Sequence, residues 1–195
     1  QAYLPHKSGD PLTLILPSTS PRRRELLAQL IPCFDVEPSR FEESSAGLCA
    51  SRAALANAAG KAREVASRFP GCAVLGADTV VSLDGAILGK PRDGEETSSM
   101  LHRLSGGEQK VYTGLGRIAD GREQADVVCT RVRFASLTEE LIARYAASGL
   151  PMDKAGAYGI QDGYPLVGRY EGSYSNVVGL PVERLRDMLR EARLI

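Results

Sequence analysis

The hydrophobic pattern opens at Leu12 to Leu16, a short unbroken apolar run that predicts a buried strand. Pro17 ends it and a Ser-rich loop follows. Ser20 is a suitable N-cap, Pro21 suits a first helical position, and Leu26, Leu27, Leu30 and Ile31 form an apolar stripe. The opening therefore reads strand, loop, helix. Pro32 to Leu48 shows no period and reads as irregular. An Ala-rich helix is predicted over Cys49 to Phe69, although Gly60 inside it costs about 1 kcal/mol relative to Ala. Ala73 to Leu83 is the strongest strand signal in the chain. Asp84-Gly85 then marks a tight turn back into Ala86 to Leu88.

Asp93 with Glu96 predicts a capping box, and Met100, Leu101 and Leu104 continue that helix to Gly106-Gly107. Two further strands, Lys110 to Ala119 and Asp126 to Ala135, are joined around Asp120-Gly121. Ser136 or Thr138 caps a helix running to about Ser148, which Gly149 and Pro151 stop. Tyr164 to Tyr170 is strand-like, and a last helix starts at Pro181. Strands and helices alternate, but two Asp-Gly turns require antiparallel pairs. The prediction is an α/β chain of the α+β mixed-sheet type, with helices packed on the sheet.

Composition narrows the class. The chain has 195 residues, of which 43% are hydrophobic and 25% charged, so it can bury a core without staples. Residues 1–11 read as a flexible lead-in and 12–195 as one domain of two lobes. No stretch has the roughly 18 to 20 apolar residues that span a bilayer, so no membrane partner is expected. Gln1 to Asp10 holds no secretory apolar region, which suggests a cytoplasmic protein. With 24 basic and 24 acidic residues the net charge is zero, which argues against a general nucleic-acid surface. A local basic pocket stays open. Cys33, Cys49, Cys72 and Cys129 make no CxxC pair and read as reduced, mostly buried thiols. His6 and His102 are the only histidines, so a His-rich zinc site is excluded.

Four segments break local rules in ways that point to chemistry. Arg22, Arg23 and Arg24 fill the first turn of a helix, where cations oppose the macrodipole; a bound polyphosphate would remove the conflict. Asp78 sits in the middle of the apolar strand AVLGADTVVSL, and a buried carboxylate needs a partner, a metal or a catalytic task. Lys90, in GKPRD, follows the hairpin that folds back beside Asp78. The segment DKAGAYGIQ, from Asp153 to Gln161, combines small residues that allow close backbone approach with Asp153, Lys154 and Gln161 as polar groups. There is no Ser-His-Asp set, reactive-Cys signature, Walker motif or GxGxxG. What remains is metal-assisted attack of water on a phosphoanhydride, with carboxylates holding Mg²⁺ or Mn²⁺ and cations offsetting phosphate charge.

STSPRRRELLAQL, GADTVV, GKPRD, KAGAYGIQ and GSYSNVVGLP occur in this order, and together they resemble the Maf family of nucleoside triphosphate pyrophosphatases. The match runs from about Leu14 to the last helix. The resemblance implies an elongated, twisted mixed sheet flanked by helices, with two lobes and a central cleft like that of the inosine triphosphate pyrophosphatases. It also implies a divalent metal cofactor, a homodimer, and cleavage of a nucleoside triphosphate to monophosphate and pyrophosphate in cleaning the nucleotide pool. Carried over residue by residue, Asp78 is the proton acceptor. Ser18, Arg23, Lys61 and Lys90 bind phosphate. Glu43 joins Asp78 at the metal, with Glu42 as its neighbouring alternative.

Arg22, Thr79 and Gln161 occupy the three positions that separate the family's branches by base preference. They resemble the dTTP/UTP branch, where the 7-methyl-GTP branch has an aromatic residue and acids. Arg22, Thr79 and Gln161 suit a neutral pyrimidine; a cationic methylated purine calls for acids and a stacking ring. Pro17 and the IPCFDVEPSRFEES loop depart from the family pattern. The alternatives are a nucleotide-sensing regulator of septum formation or the cell cycle, without catalysis, and a 7-methyl-GTP pyrophosphatase. The regulator would need the cations but not Asp78 with Glu43.

Overall fold

The computed structural model describes residues 13–195, so the lead-in over 1–11 lies outside the described residues. The chain forms β1 (Leu14–Leu16), α1 (Pro21–Ala28), β2 (Asp35–Val36), α2 (Ala50–Arg68), β3 (Ala73–Leu83), β4 (Ala86–Leu88), α3 (Gly94–Leu104), β5 (Glu108–Ala119), β6 (Arg122–Phe134), α4 (Glu139–Ala147), β7 (Val167–Glu171), α5 (Tyr174–Val178) and α6 (Val182–Glu191). The sheet is mixed, in the order β2-β1-β3-β5-β6-β7, with β4 added to β3. β1 pairs parallel with β2 and β3; the other pairs are antiparallel.

Local chemistry accounts for the joints. Asp84-Gly85 and Asp120-Gly121 both have positive φ at both residues, as a type I′ hairpin turn demands. The Ser20 Oγ accepts from Arg23 N, and Thr138, not Ser136, caps α4. At α3 the capping box is only half formed. The Asp93 carboxylate accepts from Glu96 N, but the Glu96 carboxylate reaches Arg92 N, one residue before the cap. Two elements depart from the expected pattern. The stretch read as irregular contains β2, whose two residues carry no period of their own but pair with β1. The segment Tyr174 to Val178, which had no predicted structure, is a short helix capped by Ser173.

Strand parity divides the core. Even-numbered residues of β3 face α2, and odd-numbered ones face away. The α2 face is unusually close. A Cβ on Gly76 would lie 2.2 Å from the Ala58 carbonyl oxygen, and one on Gly114 2.1 Å from that of Ala54. Helix and sheet thus meet backbone to backbone through glycines and alanines. On the opposite face the core is in two parts. Leu14, Leu16, Leu75 and Ala77 pack with α1 and α6, while Val81, Leu83 and Val111 pack with α3 and α4.

The edge of β3 is divided in the same way. β5 occupies one edge from Val74 to Ser82. β1 at Ala73–Val74 and β4 at Val81–Leu83 must therefore share the other, leaving the stretch between them uncovered. The cleft opens there. The four cysteines are free thiols, as expected, but only Cys72 is buried; Cys33, Cys49 and Cys129 are exposed. No helix among the described residues is long and apolar enough to cross a membrane.

Candidate active site

The cleft is lined by Arg22, Arg23, Glu43, Lys61, Asp78, Thr79, Lys90, Asp153, Lys154 and Gln161 of the residues picked out from sequence, together with Asp162. Segments far apart in the chain thus converge on the open edge of β3.

Asp78 is the deepest charge, only 5% exposed. Its Oδ1 accepts from Lys61 Nζ at 2.9 Å and its Oδ2 from Asn57 Nδ2 at 3.1 Å. Lys61 and Asn57 are one turn apart on α2, which the glycine contacts press against the sheet at this level. Lys61 is also 2.5 Å from Glu43 Oε1. Asn57 closes the circuit, because its Oδ1 accepts from Ser44 N at 3.0 Å and so ties down the loop that carries Glu43. Phe41 anchors the same loop by lying over Gly60, where a Cβ would come within 2.3 Å of its ring. The glycine that weakened the helix on propensity grounds is the seat of that ring. Burial pushes the Glu43 carboxyl up, but Lys61, Lys90 and Arg23 outweigh it and hold the group below the usual carboxylate range. Glu42 is exposed and does not line the cleft.

The cations are arranged in two ways. Arg23 lies half-buried, and burial lowers its pKa, partly offset by Asp78 and Glu43. Lys90 is exposed at the rim. It follows the end of β4 and lines the same cleft as Asp78. Arg22 donates to Asp153 Oδ2 at 3.2 Å. Lys154, buried, meets Asp153 at 3.0 Å and Asp162 at 3.4 Å. Tyr145 supports this wall from behind. Its hydroxyl donates to Asp162 Oδ2 at 2.5 Å and accepts from Gly159 N at 2.9 Å, fixing the turn that ends in Gln161.

Ser18 does not line the cleft. It is buried, with its Oγ 3.5 Å from Arg23 Nη1. Asn57 and Tyr145 were missed from sequence. Asn57 left one trace, standing four residues before Lys61 on the same face of an Ala-rich helix. Tyr145 carries no comparable signal in the sequence.

A family model described as Maf-like protein matches residues 13–192. The chain belongs to this family. Among curated proteins, the Maf-like chain is 49% identical over 189 residues to a dTTP/UTP pyrophosphatase of Myxococcus xanthus (strain DK1622), covering 96% of each chain. It is 49% identical over 179 residues to a dTTP/UTP pyrophosphatase of Thermococcus gammatolerans, covering 90% of this chain and 96% of that protein. A third, from Deinococcus radiodurans, is 46% identical over 180 residues, covering 92% of each. The mixed sheet flanked by helices agrees with membership of this Maf-like family.

Metal-holding capacity in the Maf-like site is limited. No group of three or more His, Cys, Asp or Glu side chains among the described residues converges as a metal cage. Glu43 and Asp78 do meet, with Lys61 between them. Two carboxylates suit a hard divalent ion that takes its remaining ligands from water and phosphate oxygens.

Proposed function

We propose that this chain hydrolyses nucleoside triphosphates, with dTTP and UTP preferred, to the nucleoside monophosphate and pyrophosphate. The observation that carries the reading is Asp78, a buried carboxylate gripped at both oxygens and opening onto a cleft lined with arginines and lysines. The names of the relatives support the reaction and the pyrimidine preference.

In this reading the triphosphate lies along Arg23, Lys61 and Lys90. The oxygen of a water molecule bonds to the α-phosphorus while the bond to the bridging oxygen breaks, and pyrophosphate leaves with that electron pair. Asp78 takes the proton lost by the water. Each of its oxygens already accepts one hydrogen bond but has a second lone pair to offer. Asn57 and Lys61 keep the carboxylate from turning away. Gln161 presents an amide, donor and acceptor together, to the carbonyl and N–H of a pyrimidine edge, and Arg22 stands beside it.

Charge supports a metal requirement. The cleft holds five cations and four carboxylates, and most of these are already paired with one another. One excess positive charge cannot balance a triphosphate carrying about four negative ones. Glu43 and Asp78 would hold Mg²⁺ or Mn²⁺, which when bound supplies the missing neutralisation.

The test is pyrophosphate and monophosphate release from dTTP, UTP, CTP, GTP and 7-methyl-GTP with Mg²⁺ or Mn²⁺, for the natural chain and for Asp78→Asn. Turnover of dTTP and UTP is expected, and Asp78→Asn should lose roughly 10²- to 10⁴-fold in kcat while staying folded. Undiminished turnover by Asp78→Asn overturns the assignment. Tight binding without turnover of any nucleotide overturns the enzyme reading in favour of a sensor.

A further inference from the structure

Thr79 follows Asp78 on β3, faces the opposite side of the sheet and lines the cleft. Thr79 Oγ1 accepts from Arg23 Nη2 at 3.0 Å and is 2.9 Å from the Oγ1 of Thr113, its cross-strand partner on β5. Thr113 is fully buried, does not line the cleft, and donates its single hydroxyl proton to the Asn176 carbonyl oxygen at 3.1 Å.

A carbonyl can only accept, so the direction of the whole chain follows. Thr113 spends its proton on Asn176, hence the proton in the Thr79–Thr113 bond belongs to Thr79. Thr79 then has only lone pairs left, and one of them receives Arg23. Its hydroxyl has no proton to give to a pyrimidine carbonyl.

The far end is firmly held. Asn176 is fully buried, and its Nδ2 donates to the Val111 carbonyl oxygen at 3.1 Å and to Thr130 Oγ1 at 2.9 Å. That side chain pins α5 across β5 and β6, and α5 delivers a second hold on the same arginine. Gly179 ends α5 at φ 132°, a left-handed value open to glycine, and its carbonyl accepts from Arg23 Nε at 2.9 Å. Arg23 has five N–H donors. One goes to Gly179, one to Thr79 and one makes the long contact to Ser18. One N–H on each terminal nitrogen is left over, which is the complement that a phosphate takes.

We infer that Thr79, Thr113 and the Asn176 carbonyl form a directed hydroxyl relay that positions Arg23 for the polyphosphate, so that Thr113, buried away from the cleft, is a positioning residue acting through Thr79 and Arg23. This rests on the polyphosphate reading of the cleft. It also assigns a task to the GSYSNVVGLP segment, which supplies both the carbonyl that anchors the relay and the carbonyl that holds Arg23 directly.

The probe is inorganic tripolyphosphate with Mg²⁺, which has no base, titrated calorimetrically into the full chain. Thr79→Val should weaken its binding about tenfold and Thr113→Val roughly three- to tenfold, as expected for loss of hydrogen bonds acting on a charged group. Thr79→Ser and Thr113→Ser keep the hydroxyl and should stay within about twofold. In an Arg23→Met background, Thr113→Val should have no further effect on that affinity, whereas a merely structural role would add. The relative kcat/KM values for dTTP, UTP and CTP should be unchanged in Thr113→Val, whose side chain does not line the cleft. Should Thr113→Val not fold, Thr79→Val, at a half-buried position, carries the same test. Normal tripolyphosphate binding by the valine variants, additivity with Arg23→Met, or a changed nucleotide ranking with unchanged tripolyphosphate affinity would each overturn the relay. So would a natural chain that binds no tripolyphosphate. Failure to hydrolyse any nucleotide is a separate result: it sinks the pyrophosphatase reading while the tripolyphosphate titration still decides the relay.

Discussion

Gly114→Ala tests whether backbone contact between α2 and the sheet sets the geometry around Asp78, the proposed proton acceptor. Gly114 is the cross-strand partner of Asp78. An added Cβ would lie 2.1 Å from the Ala54 carbonyl oxygen, 2.5 Å from its carbon and 2.8 Å from Leu55 N. These are backbone atoms within a helix, so no side chain can swing aside. Relief to a normal contact distance requires α2 to retreat by about 1 Å. Asn57, one turn along, holds Asp78 at 3.1 Å, and a retreat of that size breaks the bond. Lys61, a further turn on, is drawn off in the same direction.

Overpacking of this kind costs about 1–3 kcal/mol, or roughly 2–12 °C in Tm for a chain of this size. Misplacement of catalytic groups by about 1 Å costs on the order of 10²-fold in rate. Gly94→Ala is the control, since its Cβ would meet nothing within 4 Å and its φ is not left-handed. Thermal melting and kcat/KM for dTTP should show Gly114→Ala impaired in both and Gly94→Ala near the natural chain. Natural values of Tm and kcat/KM in Gly114→Ala would refute the argument that the glycine seat brings α2 to Asp78.

Asn57→Ala removes both a donor to Asp78 and the acceptor for Ser44 N; kcat/KM should fall at least about tenfold, and proteolysis near Phe41 to Ser44 should accelerate. Tyr145→Phe leaves the Asp162 carboxylate and Gly159 N without their shared partner. It should cost about 1–3 kcal/mol in denaturant unfolding and raise KM for dTTP more than it lowers kcat. Glu64 is held at about 2, below its usual 4.5, by the Arg68 guanidinium, with Arg40 N and Ser39 assisting. Its folded-state pKa is depressed, so its stabilisation is complete above about pH 4.5 and disappears as pH falls towards 2. Glu64→Gln should therefore lower stability at neutral pH and flatten its decline between those values, measured by urea titration at several pH values. An unchanged acid limb would remove Glu64 from the account.

The local elements of this protein follow from short-range rules, and those were readable in the chain itself. Two Asp-Gly pairs make type I′ turns because their residues tolerate positive φ, which forces antiparallel partners. Ser20-Pro21 starts a helix for reasons confined to one turn. The burial of Asp78 in an apolar run announced a special residue before any fold was known, as did three arginines at a helix start. What reaches across the molecule was not readable in that way. Glu43 and not Glu42 meets Lys61 because Phe41 and Asn57 set how the loop lies over α2. Thr79 faces Arg23 because β3 alternates sides and β5 places Thr113 directly opposite. β2 and α5 carry too few residues to show a period, and they owe their structure to what they pack on. Sequence periods record which side of an element is buried; only packing decides which distant side chain waits there.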